Sequence, residues 1–403
     1  MDIHVARQPI FDKRKRLYAY ELLFRGDISE VFPGVDGDMA TSQVLSGSFF
    51  TFGVEKISGG KRTFINFTRD LLVQRFPMMF PTQSVVVEVL EDVQPSEEVI
   101  AACQDISQKG YPIALDDFCY RPELDPLIAL ADIIKFDLRL TPLTELRPCM
   151  LDLAHHGLAF LAEKVETHQE FEQALEMGFD YFQGFFFSKP EVMKQRDIST
   201  PQMHMLQIMA EANKADVDFR RLENLITRDV AIPYKLLRYI NSAYFRRIDE
   251  VSSIRQAIAL LGINGTKQFL SLMVLARLAD TKPDELIRLS ITRAKFCELA
   301  GKKRATEADP ATLFMLGLFS LIDAILDDSM ENLVHQLPLA DGVREALTTG
   351  EGILGAYLTL VTCYERGEWE GVSTTASRLG MAETETAHCY EEAVAWADTV
   401  FDL

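Results

Sequence analysis

Ile113-Ala114-Leu115-Asp116-Asp117-Phe118 is an apolar run that ends in two adjacent carboxylates, and Cys119-Tyr120-Arg121-Pro122 follows it. Adjacent carboxylates at a strand end repel one another and resist desolvation, so they persist where water or a cation screens them. A pair of divalent metals is one such source of positive charge, and it would make this segment the centre of a phosphodiester-cleaving site. An acidic strand end facing water is the other reading. The segment alone does not choose between them; its neighbours in the chain do.

Working outward, the first half alternates short β-type runs with helix-period stretches. The runs are Tyr18–Phe24, Thr63–Phe67, Ser84–Leu90, Pro112–Phe118, Ile133–Asp137, Leu158–Val165 and Tyr181–Phe187. Between them, Pro95–Lys109 opens on Pro95-Ser96-Glu97-Glu98 and closes at Gly110, and Gln169–Met177 closes at Gly178, which is helix start and stop chemistry. Repeated strand–helix alternation predicts parallel strands, and seven or eight such units in under two hundred residues predict a TIM-like (β/α)8 barrel. An open doubly wound sheet is the alternative, but no Gly-rich phosphate loop follows the first run. Each predicted strand carries a polar residue near its C-terminal end, where a barrel collects its chemistry. In order these are Glu21, Asn66, Glu88, Asp116 with Asp117, Lys135, Glu163 and Gln183. So oxygen-rich a set favours hard cations such as Mg2+ or Mn2+ over zinc, with Lys135 balancing charge rather than ligating. A barrel rim of solvated polar groups is the bland alternative, and the regular register counts against it.

From Thr200-Pro201 onward β-branched runs disappear and helical periodicity takes over, in Gln202–Lys214, Val217–Arg228, Ile254–Leu261, Asn264–Leu278 and Asp284–Ala300. Lys189–Ser199 reads as the linker. The expected organisation is a barrel domain over residues 1–194 and an all-α domain over residues 195–403.

The formal net charge of −19 leaves no excess of cations to displace counterions, which argues against DNA, RNA or an anionic membrane surface as partner. Six scattered cysteines without a CxxC pair suggest neither a zinc site nor a disulfide framework, and so a reducing cytoplasm. The N-terminus lacks the layout of a signal peptide, and the apolar run from Thr312 to Ile322 is too short to span a bilayer.

Eight ordered motifs then carry a resemblance. Arg7-Gln8-Pro9-Ile10-Phe11-Asp12, Glu21-Leu22-Leu23-Phe24-Arg25, Phe64-Ile65-Asn66-Phe67-Thr68, Glu88-Val89-Leu90-Glu91, Asp116-Asp117-Phe118, Lys135-Phe136-Asp137, Ala162-Glu163-Lys164-Val165-Glu166-Thr167 and Gln183-Gly184-Phe185 together resemble the EAL domain, the cyclic di-GMP phosphodiesterase fold. The resemblance implies that Glu21, Asn66, Glu88 and Asp116 hold a first metal, and that Asp117, with a contribution from Glu166, holds a second. It implies Glu163 as general base, with Lys135 and Gln183 positioning the attacking water. Arg25 would pair with a phosphate of cyclic di-GMP, Gln8 and Leu23 would lie against guanine, and Glu91 would anchor the loop after Asp117. Leu22 replaces the family's alanine, adding volume without removing a ligand. A larger departure follows Asp-Asp-Phe, where the family has a Gly-rich loop. Here Cys119-Tyr120-Arg121-Pro122-Glu123-Leu124 stands instead, and the interval from Asp116 to Lys135 is about two residues shorter than the pattern. Glycines permit tight, positive-φ backbone and proline does not, so second-metal occupancy turns on where this loop aims Asp117. The family also uses this surface for dimer contacts, which leaves a homodimer open.

In the second half, Asp229-Val230-Ala231-Ile232-Pro233-Tyr234-Lys235-Leu236-Leu237-Arg238-Tyr239-Ile240-Asn241-Ser242-Ala243 and Ile254-Arg255-Gln256-Ala257-Ile258-Ala259-Leu260-Leu261-Gly262 resemble the HDOD domain. Related hydrolases place a metal-binding His-Asp pair after a Gly-Leu-Leu run; here Gly317-Leu318-Phe319 is followed by Ser320-Leu321, which cannot ligate in its place. His204, His335 and His388 are widely separated, and His155-His156 precede a helix-ending Gly157, where they meet the helix dipole. Asn241-Ser242 and Tyr244-Phe245 read as turn and packing residues. The expectation is metal-dependent hydrolysis of cyclic di-GMP by the first domain, with the second regulating it or binding an unknown protein partner. The alternative is a degenerate barrel serving as receptor or scaffold.

Overall fold

The structure is a computed structural model that describes residues 4–25, 54–55, 57–191, 231–242, 245, 251–279, 282–303, 308–337 and 339–401. The sequence-predicted helices Gln202–Lys214 and Val217–Arg228, His204, Tyr244 and most of the linker lie outside the described residues. Two compact units result, Met1–Lys189 with Glu365–Trp369, and Pro190–Tyr364 with Glu370–Leu403.

In the first unit eight strands close a barrel in sequential order. They are β1 (Val5–Asp12), β2 (Leu17–Phe24), β3 (Arg62–Phe67), β4 (Val85–Val89), β5 (Ile113–Leu115), β6 (Ile133–Asp137), β7 (Ala159–Glu163) and β8 (Tyr181–Gln183). The expectation of an all-parallel barrel is corrected at β1, which runs antiparallel to both β2 and β8. The cause is local. Four residues join β1 to β2, enough for a hairpin and far too few for a parallel crossover. Asp12 builds that turn: its carboxylate accepts the backbone N–H groups of Arg14 (2.8 Å) and Arg16 (2.9 Å). β8 is also shorter than the predicted run, because Phe186–Ser188 turns into a 3-10 segment.

A strand's side chains alternate faces, so residues two apart share one. Ile10, Ala19, Phe64, Val86, Ala114, Ile133 and Leu161 form an apolar cluster inside the barrel, with Tyr181 packed on it and stacked against Tyr18 at 4.2 Å. Two residues further along each parallel strand stand Glu21, Asn66, Glu88, Asp116, Lys135, Glu163 and Gln183. On the reversed β1 the same step runs backward in sequence, from Ile10 to Gln8. One apolar layer therefore supports one polar layer, contributed by all eight strands. Helix Glu97–Gln108 starts on Ser96, whose side chain accepts the Val99 N–H. Helix His168–Met177 starts on a Thr167/Glu170 capping box.

The second unit is helical throughout its described residues. Helix Asp284–Lys302 packs against Pro310–Phe319 and Glu383–Phe401. Its approach to the former is so close that a side-chain carbon on Gly317 would lie 2.4 Å from the Arg293 carbonyl oxygen. The two predicted segments Ile254–Leu261 and Asn264–Leu278 form one element, Ile254–Leu278, broken at Gly262 (φ 66°, ψ −174°). By length and composition this element could cross a bilayer, which the Thr312–Ile322 run could not. Its break and its buried stripe of Ile258, Phe269, Leu270, Val274 and Leu278 are those of a core helix. Asn241 accepts the Val251 N–H at 2.8 Å and donates to the Val251 carbonyl at 2.9 Å, which is the structural turn role expected of it.

Candidate active site

Lys135 is the hub of the polar layer. Its fully buried ammonium lies 2.6 Å from Glu88, 2.7 Å from Asp116, 3.0 Å from Glu163 and 3.7 Å from Glu21. Burial opposes its charge, but the four carboxylates outweigh it and hold the ammonium well above its usual range. One cation cannot balance four anions in a dry site. Burial pushes the Glu88 and Glu163 carboxyls well above the ordinary carboxylate range, against the pull of Lys135. The Gln183 amide donates to Glu21 at 2.5 Å and to the Gln8 side-chain oxygen at 3.0 Å, and Asn66 donates to Glu21 at 3.3 Å.

Those donations leave oxygens facing inward. Asn66 Oδ1, Glu88 Oε2, Glu163 Oε2 and Gln183 Oε1 are buried without a hydrogen-bond partner, an arrangement that costs free energy unless something positive is added. Ligand oxygens of Asp116, Asp117 and Glu163 lie within 4.8 Å of one another. An all-oxygen donor set of this kind suits a hard divalent cation.

The replaced loop aims Asp117 into this cluster. Asp117 takes a left-handed backbone (φ 39°), uncommon for a residue other than glycine. It is held there from both sides. The Asp116 N–H donates to the Val89 carbonyl (3.0 Å) and the Phe118 N–H to the Lys135 carbonyl (2.9 Å). The buried Phe118 ring meets Phe136 edge-on at 5.8 Å. Burial, and then the Asp116 charge, raise the Asp117 carboxyl, with Lys164 opposing.

Gln8 and Leu23 line the open cavity at this end of the barrel, together with Asp116, Asp117, Glu163 and Gln183. Arg25 follows β2 and is not in the cavity wall; its N–H donates to the His4 carbonyl at 3.0 Å. Glu166 lines the cavity but is exposed and outside the three-carboxylate cluster. Glu91 meets the loop through its backbone, its carbonyl accepting from Arg121 at 3.4 Å. Three residues of this region were not singled out from sequence. Gly184 (φ 137°) could carry no side chain, since a Cβ would lie 2.2 Å from the Val165 carbonyl oxygen. Lys164 lines the cavity, and its ammonium pairs with the buried carboxylate of Asp137. The glycine was legible inside Gln183-Gly184-Phe185; the lysine–aspartate pair has no signature in spacing.

In the helical unit Ser320 ends helix Pro310–Phe319, donating to the Gly317 carbonyl (2.8 Å) and accepting from Arg293 (3.3 Å). His335 and His388 are exposed on separate helices. Among the described residues no metal-type cluster forms there.

This barrel opens on an antiparallel first strand and gathers four carboxylates around one buried lysine. Residues 54–190 match the EAL domain family and residues 198–351 the HDOD domain family. The chain belongs to the family of proteins that join these two domains. It is 39% identical over 400 residues to the cyclic di-GMP phosphodiesterase CdgJ of Vibrio cholerae, covering 98% of this chain and 93% of that one. It is 37% identical over 410 residues to YuxH of Bacillus subtilis, an uncharacterized protein, over the full length of both. Among solved structures, a calcium and cyclic di-GMP complex of Klebsiella pneumoniae BlrP1 is 22% identical, with a TM-score of 0.37 over 47% of this chain and 56% of that one.

Proposed function

We propose that the barrel hydrolyses cyclic di-GMP to the linear dinucleotide with Mg2+ or Mn2+, and that the helical domain regulates it or docks a protein partner. The observation that carries this reading is the convergence of Asp117 with Asp116 and Glu163 despite the replaced loop. Glu21, Asn66, Glu88 and Asp116 would hold one cation and Asp117 the other. When bound, such cations supply Lewis-acid polarisation of a phosphoryl oxygen and make water a better nucleophile near neutral pH. The chain's own residues do the rest. Glu163 accepts the proton of the attacking water, a general-base role open to an ionised carboxylate. Lys135 keeps the carboxylates from repelling one another apart, and Gln183 fixes the orientation of Glu21. Gln8 and Leu23 offer a polar edge and an apolar face to a base. On this reading the domains divide at about residues 194/195 and the protein works in a reducing cytosol.

The test is hydrolysis of cyclic di-GMP with Mn2+ by the wild type, Glu21→Ala and Glu163→Ala. Each variant is expected to lose about a thousandfold or more. The replaced loop favours one second reading, a barrel that binds the nucleotide without turnover. Equal slow loss in all three proteins would leave only that reading.

A further inference from the structure

Lys164 directly follows Glu163 at the end of β7, and nothing in the chemistry above uses it. Its backbone is left-handed (φ 54°), a conformation that a long side chain adopts only when its surroundings hold it. Two contacts do so. Its ammonium pairs with Asp137, whose carboxylate is buried at the end of β6, and its carbonyl accepts from Arg139 at 3.3 Å. Asp137 is fixed in turn, accepting the Arg139 N–H at 2.6 Å. The lysine side chain is still 58% exposed, and it lines the same cavity wall as Asp116, Asp117 and Glu163. Its charge is felt by both Asp117 and Glu163. Asp137 also acts on Asp117, in the opposite sense and less strongly, so the lysine leaves a net positive influence on the side of the site that Asp117 completes.

Resting on the functional reading above, we propose that Lys164 sets how tightly the Asp117 side of the site takes a divalent cation. It lowers that affinity by like-charge repulsion while leaving the Glu21/Asn66/Glu88 side unchanged. The physical argument is Coulombic. A unit charge a few ångströms away in a partly solvated site alters the affinity for a divalent ion by about tenfold or more. Lys135, buried among four carboxylates, holds the ring together; Lys164, exposed at its edge, tunes what the ring admits. The consequence is a cation requirement that follows the available metal concentration rather than a permanently loaded site.

Mn2+ binding followed by electron paramagnetic resonance and calorimetry, with no substrate present, tests this on the full chain. Lys164→Gln, which can still hydrogen-bond to Asp137, is expected to tighten the weaker Mn2+ step by about tenfold and leave the tighter step within twofold. Lys164→Arg, which keeps the charge, is expected to bind as the wild type does. Asp117→Asn is expected to abolish the weaker step with or without Lys164. If Lys164→Gln leaves both steps within twofold of the wild type, the role of Lys164 is overturned and the two-cation reading stands. If no Mn2+ binds to any of these proteins, both are overturned together.

Discussion

Both units of this chain bury charge, and they do it in opposite ways. Among the described residues of the helical unit, buried charges meet opposite charges in small groups: Lys295 and Lys302 flank Glu298, Lys282 meets Asp327, and Arg288 lies between Glu285 and Asp398. At the barrel mouth one lysine faces four carboxylates, and oxygens from four strands remain unpartnered. Balanced burial reads as architecture. Unbalanced burial of one sign is the arrangement expected of a cation-binding site, because it costs free energy that protonation or an added cation relieves.

The comparison can be broken most directly by removing one lysine from each unit. Lys135→Met leaves four carboxylates without their cation and is expected to cost about 3–5 kcal/mol in urea unfolding. Lys302→Met removes a half-exposed partner from Glu298, which keeps Lys295, and is expected to cost at most about 1 kcal/mol. Equal costs would show that the barrel ring is no more strained than the helical pairs. A smaller effect is expected from Gly184→Ala, where the added carbon must displace the Val165 backbone beside Gln183. It should lose about 1–3 kcal/mol together with most turnover, whereas a loss of stability alone would detach this strand end from the site.

The pH response sharpens the same contrast. Glu88 and Glu163 have folded-state carboxyls above their ordinary value of 4.5, so each holds a proton more tightly in the folded chain than in the unfolded one. Their contribution to stability is present below that value and is lost as the pH rises through their elevated folded range. Glu298 behaves in the opposite sense: Lys295 and Lys302 overcome burial and depress its carboxyl, so its contribution is lost as the pH falls. In the pH range where these carboxyls titrate, Mn2+ binding is therefore expected to release protons, and Glu88→Gln to release fewer. Calorimetry in buffers of different ionisation enthalpy checks this, and a buffer-independent heat would contradict it. The smallest effect is expected from Ser320→Ala, which removes a hydroxyl from a helix end where a hydrolytic relative would carry a metal ligand. It should shift stability by about 1 kcal/mol and leave turnover unchanged.

Much of this site was legible because a barrel strand makes its register visible. Glu21, Asn66, Glu88, Asp116, Lys135, Glu163 and Gln183 each stand two places beyond an apolar core residue, and a period of two survives in sequence. β1 escaped that reading. Pro9 interrupts its pattern, and its reversed direction puts Gln8 before Ile10 rather than after it. The aim of Asp117 was not legible either. It depends on Phe118 and its contact with Phe136 on another strand, while the sequence displayed only the lost glycines. Lys164 and Asp137 were invisible for a related reason, since their partnership joins two strand ends that no local pattern links.

The central claim is that the polar layer is a two-cation site on which the replaced loop has kept Asp117. Anomalous diffraction at the manganese edge from crystals of the full chain soaked in Mn2+ tests it most directly. Two peaks are predicted, one among Glu21, Asn66, Glu88 and Asp116 and one beside Asp117. A single peak with Asp117 turned away would contradict the two-cation claim, and no peak at all would contradict the metal site itself.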